Sequence, residues 1–287
     1  MTTSNPWARP PAVAGRFYPG SPPQLTADVR RYLAQPAPRG EPEVSTDLRA
    51  LVVPHAGYVY SGPTAGVAYR LLAPRRDRIQ RIVLLGPPHY VPVAGVALSS
   101  AAAWRTPLGE APIDTGAGKA FLAHGRDADW ADLPVVVDDY AHEPEHSLEV
   151  QLPFLQTVLP GVPVCPVLVG TSNTDALAVL LASTWSDPGA LLVVSTDLSH
   201  YHSDPVARRL DARTAEAIHQ GDADAIADED ACGARALRGV LRLAANNGAR
   251  VRVLDLSTSA DTVGDTHRVV GYGAFAVDMS APEPTEV

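Results

Sequence analysis

Short apolar runs of strand length recur along the chain. They are Ala50–Val53, Arg81–Leu85, Gly95–Leu98, Val162–Val169, Ala190–Ser195, Val251–Leu256 and Val269–Val277. Several are apolar at successive rather than alternating positions, which is typical of strands covered on both faces. Pro163 and Pro166 interrupt the fourth run, and proline removes a ladder hydrogen bond, so we expect an edge strand there.

Stretches with helical spacing separate these runs. They are Thr64–Leu72, Ser147–Leu159, Asp175–Ala182, Pro205–His219 and Ala231–Ala245. Asp204 is the expected N-cap of the fourth, with Pro205 at its first position, and Asn246-Asn247-Gly248 ends the fifth. The alternation predicts an α/β fold with a mainly parallel or mixed central sheet and helices on both faces.

One domain is expected, spanning residues 10–279. The chain contains no long linker or internal repeat, and 287 residues suffice to bury a large core without a disulfide or a structural metal. Residues 1–9 and 280–287 lack apolar periodicity and are expected to be flexible tails. The proline-rich stretch 36–44 is expected to be a surface loop.

Composition narrows the class of partner. The formal net charge is −9, which argues against non-specific binding to nucleic acid or to an anionic membrane surface. No apolar run reaches the roughly 20 residues of a membrane span. With two cysteines and no signal-peptide pattern, a cytoplasmic location is expected.

Three histidines follow buried strands. His55, His89 and His200 come shortly after the runs that end at Val53, Leu85 and Ser195. Ligands of open α/β sheets bind beyond the carboxyl ends of the strands, and neutral imidazole is a common transition-metal ligand. The pattern therefore indicates a shared metal-binding cleft. The alternative is that each histidine caps a strand or binds a loop carbonyl.

Cys232 lies where a helix is expected to begin. The helix dipole favours a thiolate there, whereas the neighbouring Asp228, Glu229 and Asp230 disfavour it. A bound cation would remove the conflict, because a coordinating thiol loses its proton. A small buried residue at a helix start is the alternative, and Cys165 is expected to lie in the core.

Two further groups of polar residues are candidates. His146 and Glu149 are three positions apart, so on a helix they would share a face and could form a metal or acid–base pair; a solvated helix start is the alternative. Asp197 and His200 share one loop, so one could orient the other; otherwise Asp197 is a turn residue.

Several segments, taken in order, resemble the Memo family. They are Ala14-Gly15-Arg16-Phe17-Tyr18, Pro54-His55-Ala56-Gly57-Tyr58 with Ser61-Gly62, Leu85-Gly86-Pro87-Pro88-His89, Glu145-His146-Ser147-Leu148-Glu149, Asp197-Leu198-Ser199-His200-Tyr201 and Ala231-Cys232-Gly233. The resemblance spans about residues 10–278. It implies a fold similar to the class III extradiol dioxygenases, which bind Fe(II) with two histidines and a carboxylate. Phe17 stands where some relatives have tryptophan.

The resemblance also implies roles for individual residues. His55, His89 and Cys232 match the metal-binding positions, and Fe(II) is the expected ion, with Cu or Zn as alternatives for a softer donor set. His200 is expected to move protons, aided by Asp197 and His146. A small-molecule substrate is expected to contact cleft residues Phe17, Tyr58, Glu145 and Tyr201.

Three functions remain open at this point. The first is a dioxygenase-like, non-heme iron oxidoreductase that acts on a small molecule. The second is a non-catalytic protein- or peptide-binding module that uses the same cleft; for bacterial relatives the resemblance also implies association with a radical-SAM protein. The third is a hydrolase that uses metal-activated water. Fold alone does not decide between them.

Overall fold

The computed structural model describes residues 7–36, 47–125 and 133–279. The strands are β1 (Ala8–Arg9), β2 (Leu48–Val53), β3 (Arg81–Gly86), β4 (Val96–Leu98), β5 (Ala103–Thr106), β6 (Gly109–Pro112), β7 (Val135–Val137), β8 (Val164–Val169), β9 (Ala190–Ser195), β10 (His200–His202), β11 (Ala249–Thr258) and β12 (Val269–Met279). The helices are α1 (Pro22–Ala34), α2 (Tyr58–Tyr69), α3 (Thr115–His124), α4 (Asp139–His142), α5 (Leu152–Val158), α6 (Thr174–Ser186), α7 (Asp204–Gln220), α8 (Ala234–Asn246) and α9 (Ala260–Val263).

A mixed sheet forms the centre of the domain. Its strand order is β10-β12-β2-β9-β3-β8-β4-β7, and β11 pairs with β12. The inner strands β2, β9, β3 and β8 run parallel, while β12 and β4 flank them antiparallel. The remaining short strands, β1, β5 and β6, form a separate three-stranded sheet.

Helices cover both faces of the central sheet, as the sequence predicts. Along β2, Leu51 and Val53 pack into one core and Ala50 and Val52 into the other. Side chains from α1, α2 and α5 complete the first core, and side chains from α3, α6, α7 and α8 complete the second. Successive strand residues are therefore buried on opposite faces, which explains the uninterrupted apolar runs.

The expected edge position of β8 is wrong, because β8 lies between β3 and β4. The two prolines are nevertheless accommodated. Pro163 precedes the strand, and Pro166 lies opposite Leu84 of β3 but outside the part of β8 that pairs with β4, which is Val167–Val169. The missing N–H of Pro166 therefore faces no partner strand on the β4 side.

Several helix boundaries differ from the prediction. Helix α2 begins at Tyr58, before the predicted start at Thr64. The stretch expected to be helical from Ser147 instead has a 3-10 turn, Glu149–Gln151, before α5. Helix α7 begins at Asp204, so Ser203 is its N-cap, and the Asp204 side chain instead accepts hydrogen bonds from Arg208 and Thr258.

The expected N-terminal tail is also too long. Ala8 and Arg9 form β1, which pairs with β5, and the Arg9 side chain is fully buried. Residues 1–6 and 280–287 and most of the stretch 36–44 lie outside the described residues. Within the described ranges, no helix is long and apolar enough to cross a bilayer.

Candidate metal centre

The candidate site lies at the ends of three neighbouring parallel strands. His55, His89 and Asp197 follow the carboxyl ends of β2, β3 and β9, and β9 lies between the other two in the sheet. The loops after these strands therefore meet at one edge, as expected for a ligand site of an open α/β sheet.

Three imidazoles meet at this edge. The rings of His55 and His89 lie 5.2 Å apart between centroids, and the ring of His146 lies 5.5 Å from His55 and 4.6 Å from His89. One nitrogen from each ring lies within 4.8 Å of the others, so the three could hold one metal ion. His146 thus belongs to the cluster itself, a closer association than the acid–base role expected for it.

Cys232 adds a sulfur atom beside the imidazoles. Its Sγ lies 3.2 Å from His55 Nε2 and accepts a hydrogen bond from the Asp197 amide at 3.2 Å. The residue lies in a turn before α8, not in the helix as the sequence predicts. Gly233 allows this turn to approach β9, because a Cβ there would lie 2.9 Å from the Ser195 carbonyl oxygen.

The electrostatic surroundings of the thiol oppose ionisation. Burial, followed by the charge of Asp197, raises the pKa of Cys232 to about 12. Burial likewise lowers the pKa of His55 to about 3 and that of His146 to about 4, with neighbouring histidines adding to each shift. His55 and His146 therefore present neutral imidazoles near neutral pH, the protonation state that binds metals.

Two buried side chains fix the imidazole orientations. Ser195 Oγ lies 3.0 Å from His55 Nδ1, and Glu145 Oε1 lies 2.9 Å from His89 Nδ1. Both contacts leave the Nε2 atoms available, and such contacts commonly orient metal-binding histidines. Burial alone would raise the pKa of Glu145, but hydrogen bonds from His89 and the Ser147 amide lower it to about 2. A carboxylate is therefore maintained behind His89.

The donor set fits a transition metal. Nitrogen and sulfur donors suit Fe, Cu and Zn better than the hard ions Mg²⁺ and Ca²⁺. In addition, Nδ1 of His146 is buried without a hydrogen-bond partner, although it lies 3.3 Å from Glu145 Oε1. This nitrogen lies beside the carboxylate that also holds His89, and a buried nitrogen without a hydrogen bond is costly.

Asp197 and His200 do not pair as expected. Asp197 is buried and its Oδ1 accepts a hydrogen bond from the His55 amide at 2.7 Å, so its side chain holds the β2 loop and not His200. Burial raises the pKa of this carboxyl group. Both residues line the same cavity, which keeps His200 in reach of a bound molecule.

The expected pairing of His146 with Glu149 is wrong. No helix spans these positions, and the Glu149 carboxylate faces the N-terminal segment, where it binds Arg9 at 2.6 Å and Tyr18 at 2.7 Å. The His146 ring contacts Phe17 instead, with centroids 4.6 Å apart.

A cavity of about 770 Å³ opens onto the cluster. Phe17 and Tyr201 line it, as expected for substrate-contacting residues. Tyr58 does not line it, because its ring is buried in the core and its hydroxyl donates to the Val150 carbonyl. Glu145 is fully buried behind His89 and does not line it either. A second cavity of about 380 Å³ shares His89 and Cys232 with the first.

Sequence reasoning missed several lining residues. They are Tyr60, Tyr90, Asp265, Arg268 and Tyr272. Tyr60 and Tyr90 closely follow the motifs around His55 and His89, and that adjacency was an available signal. The other three come from β12 and the loop before it, where no motif marks them.

Comparison with known proteins agrees with this architecture. The family model described as "Memo-like protein" matches residues 9–276. A "MEMO1 family protein" of Thermotoga maritima is 35% identical over 283 residues, covering 92% of this chain and 97% of the relative. Similar proteins of Archaeoglobus fulgidus and Nitrosopumilus maritimus are 34% and 30% identical, each covering 93% of this chain and 98% of the relative. The chain belongs to the Memo family.

Proposed function

We propose that this protein is a metal-dependent redox enzyme that acts on a small molecule. The observation that carries the proposal is the meeting of His55, His89 and His146 with the Cys232 thiol at the floor of one cavity. His55, His89 and Cys232 are the proposed ligands, with Fe(II) as the preferred ion and Cu or Zn as alternatives. His146 lies at the same centre, as a further donor or a proton carrier.

Bound iron would supply one-electron chemistry and Lewis acidity at this position. The surrounding residues have separate tasks. Ser195 and Glu145 hold the rings of His55 and His89 through their Nδ1 atoms, which leaves Nε2 of each ring available to the metal. His200 is the proposed proton carrier for a molecule in the cavity, and the buried Asp197 fixes the loop that bears His55.

Metal analysis of protein purified without oxygen and reconstituted with Fe(II) tests the proposal. Wild type is expected to hold stoichiometric iron, and His55→Ala and Cys232→Ser are each expected to weaken binding by about tenfold or more, because each loses a direct ligand. His202→Gln is the matched control, since His202 is exposed and does not line the cavity. Equal iron binding by wild type and His55→Ala would contradict the proposal.

Two further measurements separate the ligands and the chemistry. A sulfur-to-metal charge-transfer band should be present in wild type and in His146→Gln and absent in Cys232→Ser. Oxygen uptake that depends on an added small molecule would support redox catalysis. Iron binding without any such uptake across a broad substrate panel would limit the site to metal binding.

A peptide-binding module is the second candidate. It is favoured by the exposed tyrosines at the cavity, of which Tyr201 is 63% and Tyr90 52% accessible. Aromatic side chains with one wet edge are common in binding surfaces. Peptide-library selection with and without a chelator separates the two functions, because a binding module would retain its peptides after the metal is removed. Association with a radical-SAM protein stays a prediction.

A further inference from the structure

One of the residues that line the cavity is an exposed arginine, Arg268. The Arg268 guanidinium lies over the Tyr201 ring, 4.3 Å from its centroid. Within the described residues it forms no hydrogen bond or ion pair with the protein. Arg208, by contrast, binds the carboxylates of Asp204 and Asp261. The N–H groups of Arg268 are therefore available to a molecule in the cavity.

The backbone holds Tyr201 beneath this arginine. Tyr201 has φ of 64°, a left-handed conformation found at no other non-glycine residue in the described ranges. It lies at an irregularity of the β10–β12 pairing, between His200 and His202. Such a conformation is strained for a bulky residue and persists where the surroundings enforce it. The bulge thus presents Tyr201 to Arg268 while the adjacent His200 lines the cavity.

The charges at the cavity disfavour a ligand with more than one negative charge, since Arg268 alone can attract an anion there. Arg268 is the only arginine or lysine among the lining residues of the described cavity, where Asp197 and Asp265 also lie. Asp265 is engaged within its own loop, since it accepts a hydrogen bond from the His267 amide at 2.9 Å. One guanidinium beside two carboxylates suits a monoanion better than a doubly charged phosphate.

The other lining side chains favour a planar body. Five are aromatic, and they come from different elements around the cavity: Phe17, Tyr60, Tyr90, Tyr201 and Tyr272. Aromatic faces stack on flat rings, and guanidinium pairs bidentately with carboxylate. The volume of about 770 Å³ is within the range of small-molecule sites.

We propose that the cavity binds a small molecule made of a planar ring and one carboxylate, with the carboxylate paired to Arg268 and the ring packed against the aromatic side chains. The inference rests on the proposed function, because it names the substrate class of the same cavity. Arg268 is the residue that selects the charge, and Tyr201 is the positioning residue that holds its guanidinium plane.

Fluorine NMR titration with para-fluorobenzoate, para-fluorobenzamide and para-fluorophenyl phosphate tests the inference without an activity assay. Wild type is expected to bind the benzoate more tightly than the other two probes. Arg268→Met should weaken benzoate binding by about tenfold or more and leave the benzamide unchanged, because only the charged pair is lost. Tyr201→Phe should bind the benzoate like wild type, and Tyr201→Ala should weaken it several-fold.

Arg209→Met is the matched control, since Arg209 is exposed on α7 and does not line the cavity. It should bind all three probes like wild type. Equal affinities for benzoate and benzamide, wild-type benzoate binding by Arg268→Met, or tighter binding of the phosphate would each overturn the inference.

Metal content measured on the same samples separates the two proposals. A wild type without metal whose benzoate binding needs Arg268 would refute the proposed function and support the carboxylate site. Iron in the wild type, together with normal benzoate binding by Arg268→Met, would support the proposed function and refute the carboxylate site.

Discussion

A single residue, Glu145, connects two histidines of the cluster, His89 and His146. Its buried carboxylate accepts hydrogen bonds from the His89 amide, from His89 Nδ1 and from the amides of His146 and Ser147. One side chain therefore fixes both the loop after β3 and the segment that carries His146. Its contribution to the site is geometric, since it lies behind the imidazoles and not in the cavity.

Glu145→Gln should weaken metal binding by about tenfold to a hundredfold, the usual effect of removing a side chain that orients a ligand. The amide group has only one acceptor atom, so it cannot satisfy all four donors, and the His89 ring loses its fixed orientation. Competition with a coloured chelator measures the change. Glu143→Gln is the control, because its exposed side chain lies two residues away. Unchanged metal affinity in Glu145→Gln would contradict the role assigned here.

The sequence predicts the histidines of the site better than their supports. His55 and His89 are evident because each follows a buried apolar strand. The role of Glu145 is not evident, because the histidine it holds is 56 positions away along the chain. Arg268 is similarly hidden, since its contact with Tyr201 depends on the pairing of β10 with β12.

At the scale of elements, a buried ion pair anchors the N-terminal segment. Arg9 and Glu149 are both fully buried, and Glu149 also accepts hydrogen bonds from the Val13 amide and the Tyr18 hydroxyl. The segment so anchored carries Phe17, which packs on the His146 ring at the cavity. The segment's attachment therefore shapes one wall of the site.

Glu149→Gln should lower the free energy of unfolding by about 3–5 kcal/mol, because it leaves the buried Arg9 charge without its partner. Denaturant titration measures the loss, and hydrogen exchange should show faster exchange at residues 13–18. In the double variant Arg9→Met/Glu149→Leu, only part of the stability should return: no unpaired charge remains, but the Val13 amide and the Tyr18 hydroxyl lose their acceptor.

The matched control for this pair is Glu110→Gln. Glu110 binds Arg105 at 3.0 Å, but both side chains are more than half exposed, so the loss should stay below about 1 kcal/mol. Equal losses in Glu149→Gln and Glu110→Gln would show that burial does not set the strength of the pair.

Element type follows from the sequence more reliably than element boundaries. The strand predicted at Ala190–Ser195 has the same first and last residues as β9, because the run of apolar side chains begins and ends with the strand. Helix α2 is predicted too short because Gly62-Pro63 resembles a turn. In the fold, Gly62 and Gly66 allow α2 to approach Tyr32 of α1, where a Cβ would collide. Close packing between helices thus overrides a local signal.

At the scale of the whole molecule, buried histidines make the fold sensitive to acid. Among them, His142 lies outside the cluster of His55, His89 and His146. It is fully buried, contacts the Ala97 carbonyl through Nε2 at 3.1 Å and packs edge-on against Trp104. Burial lowers its pKa from 6.5 to about 4. Between these values the unfolded chain binds a proton at His142 that the folded protein does not bind.

Wild-type stability should therefore fall as the pH falls from about 6.5 to 4, and His142 alone should contribute about 3 kcal/mol of that loss. His142→Gln keeps a donor for the Ala97 carbonyl and does not titrate, so its stability should fall less over the same range. Denaturant titrations at several pH values measure the difference. His202→Gln, at an exposed position, should parallel wild type, and a parallel fall in His142→Gln would refute the assignment.

The position of β12 in the sequence determines when the central sheet can be completed during translation. This strand is made after every other strand described, yet it lies inside the sheet, where it pairs with β2, β10 and β11. Until residue 279 has left the ribosome, β2 lacks one neighbour, and the cavity wall that includes Tyr272 is missing. A nascent chain stalled before β12 would expose an unpaired apolar strand to chaperones and would be unable to form the complete site.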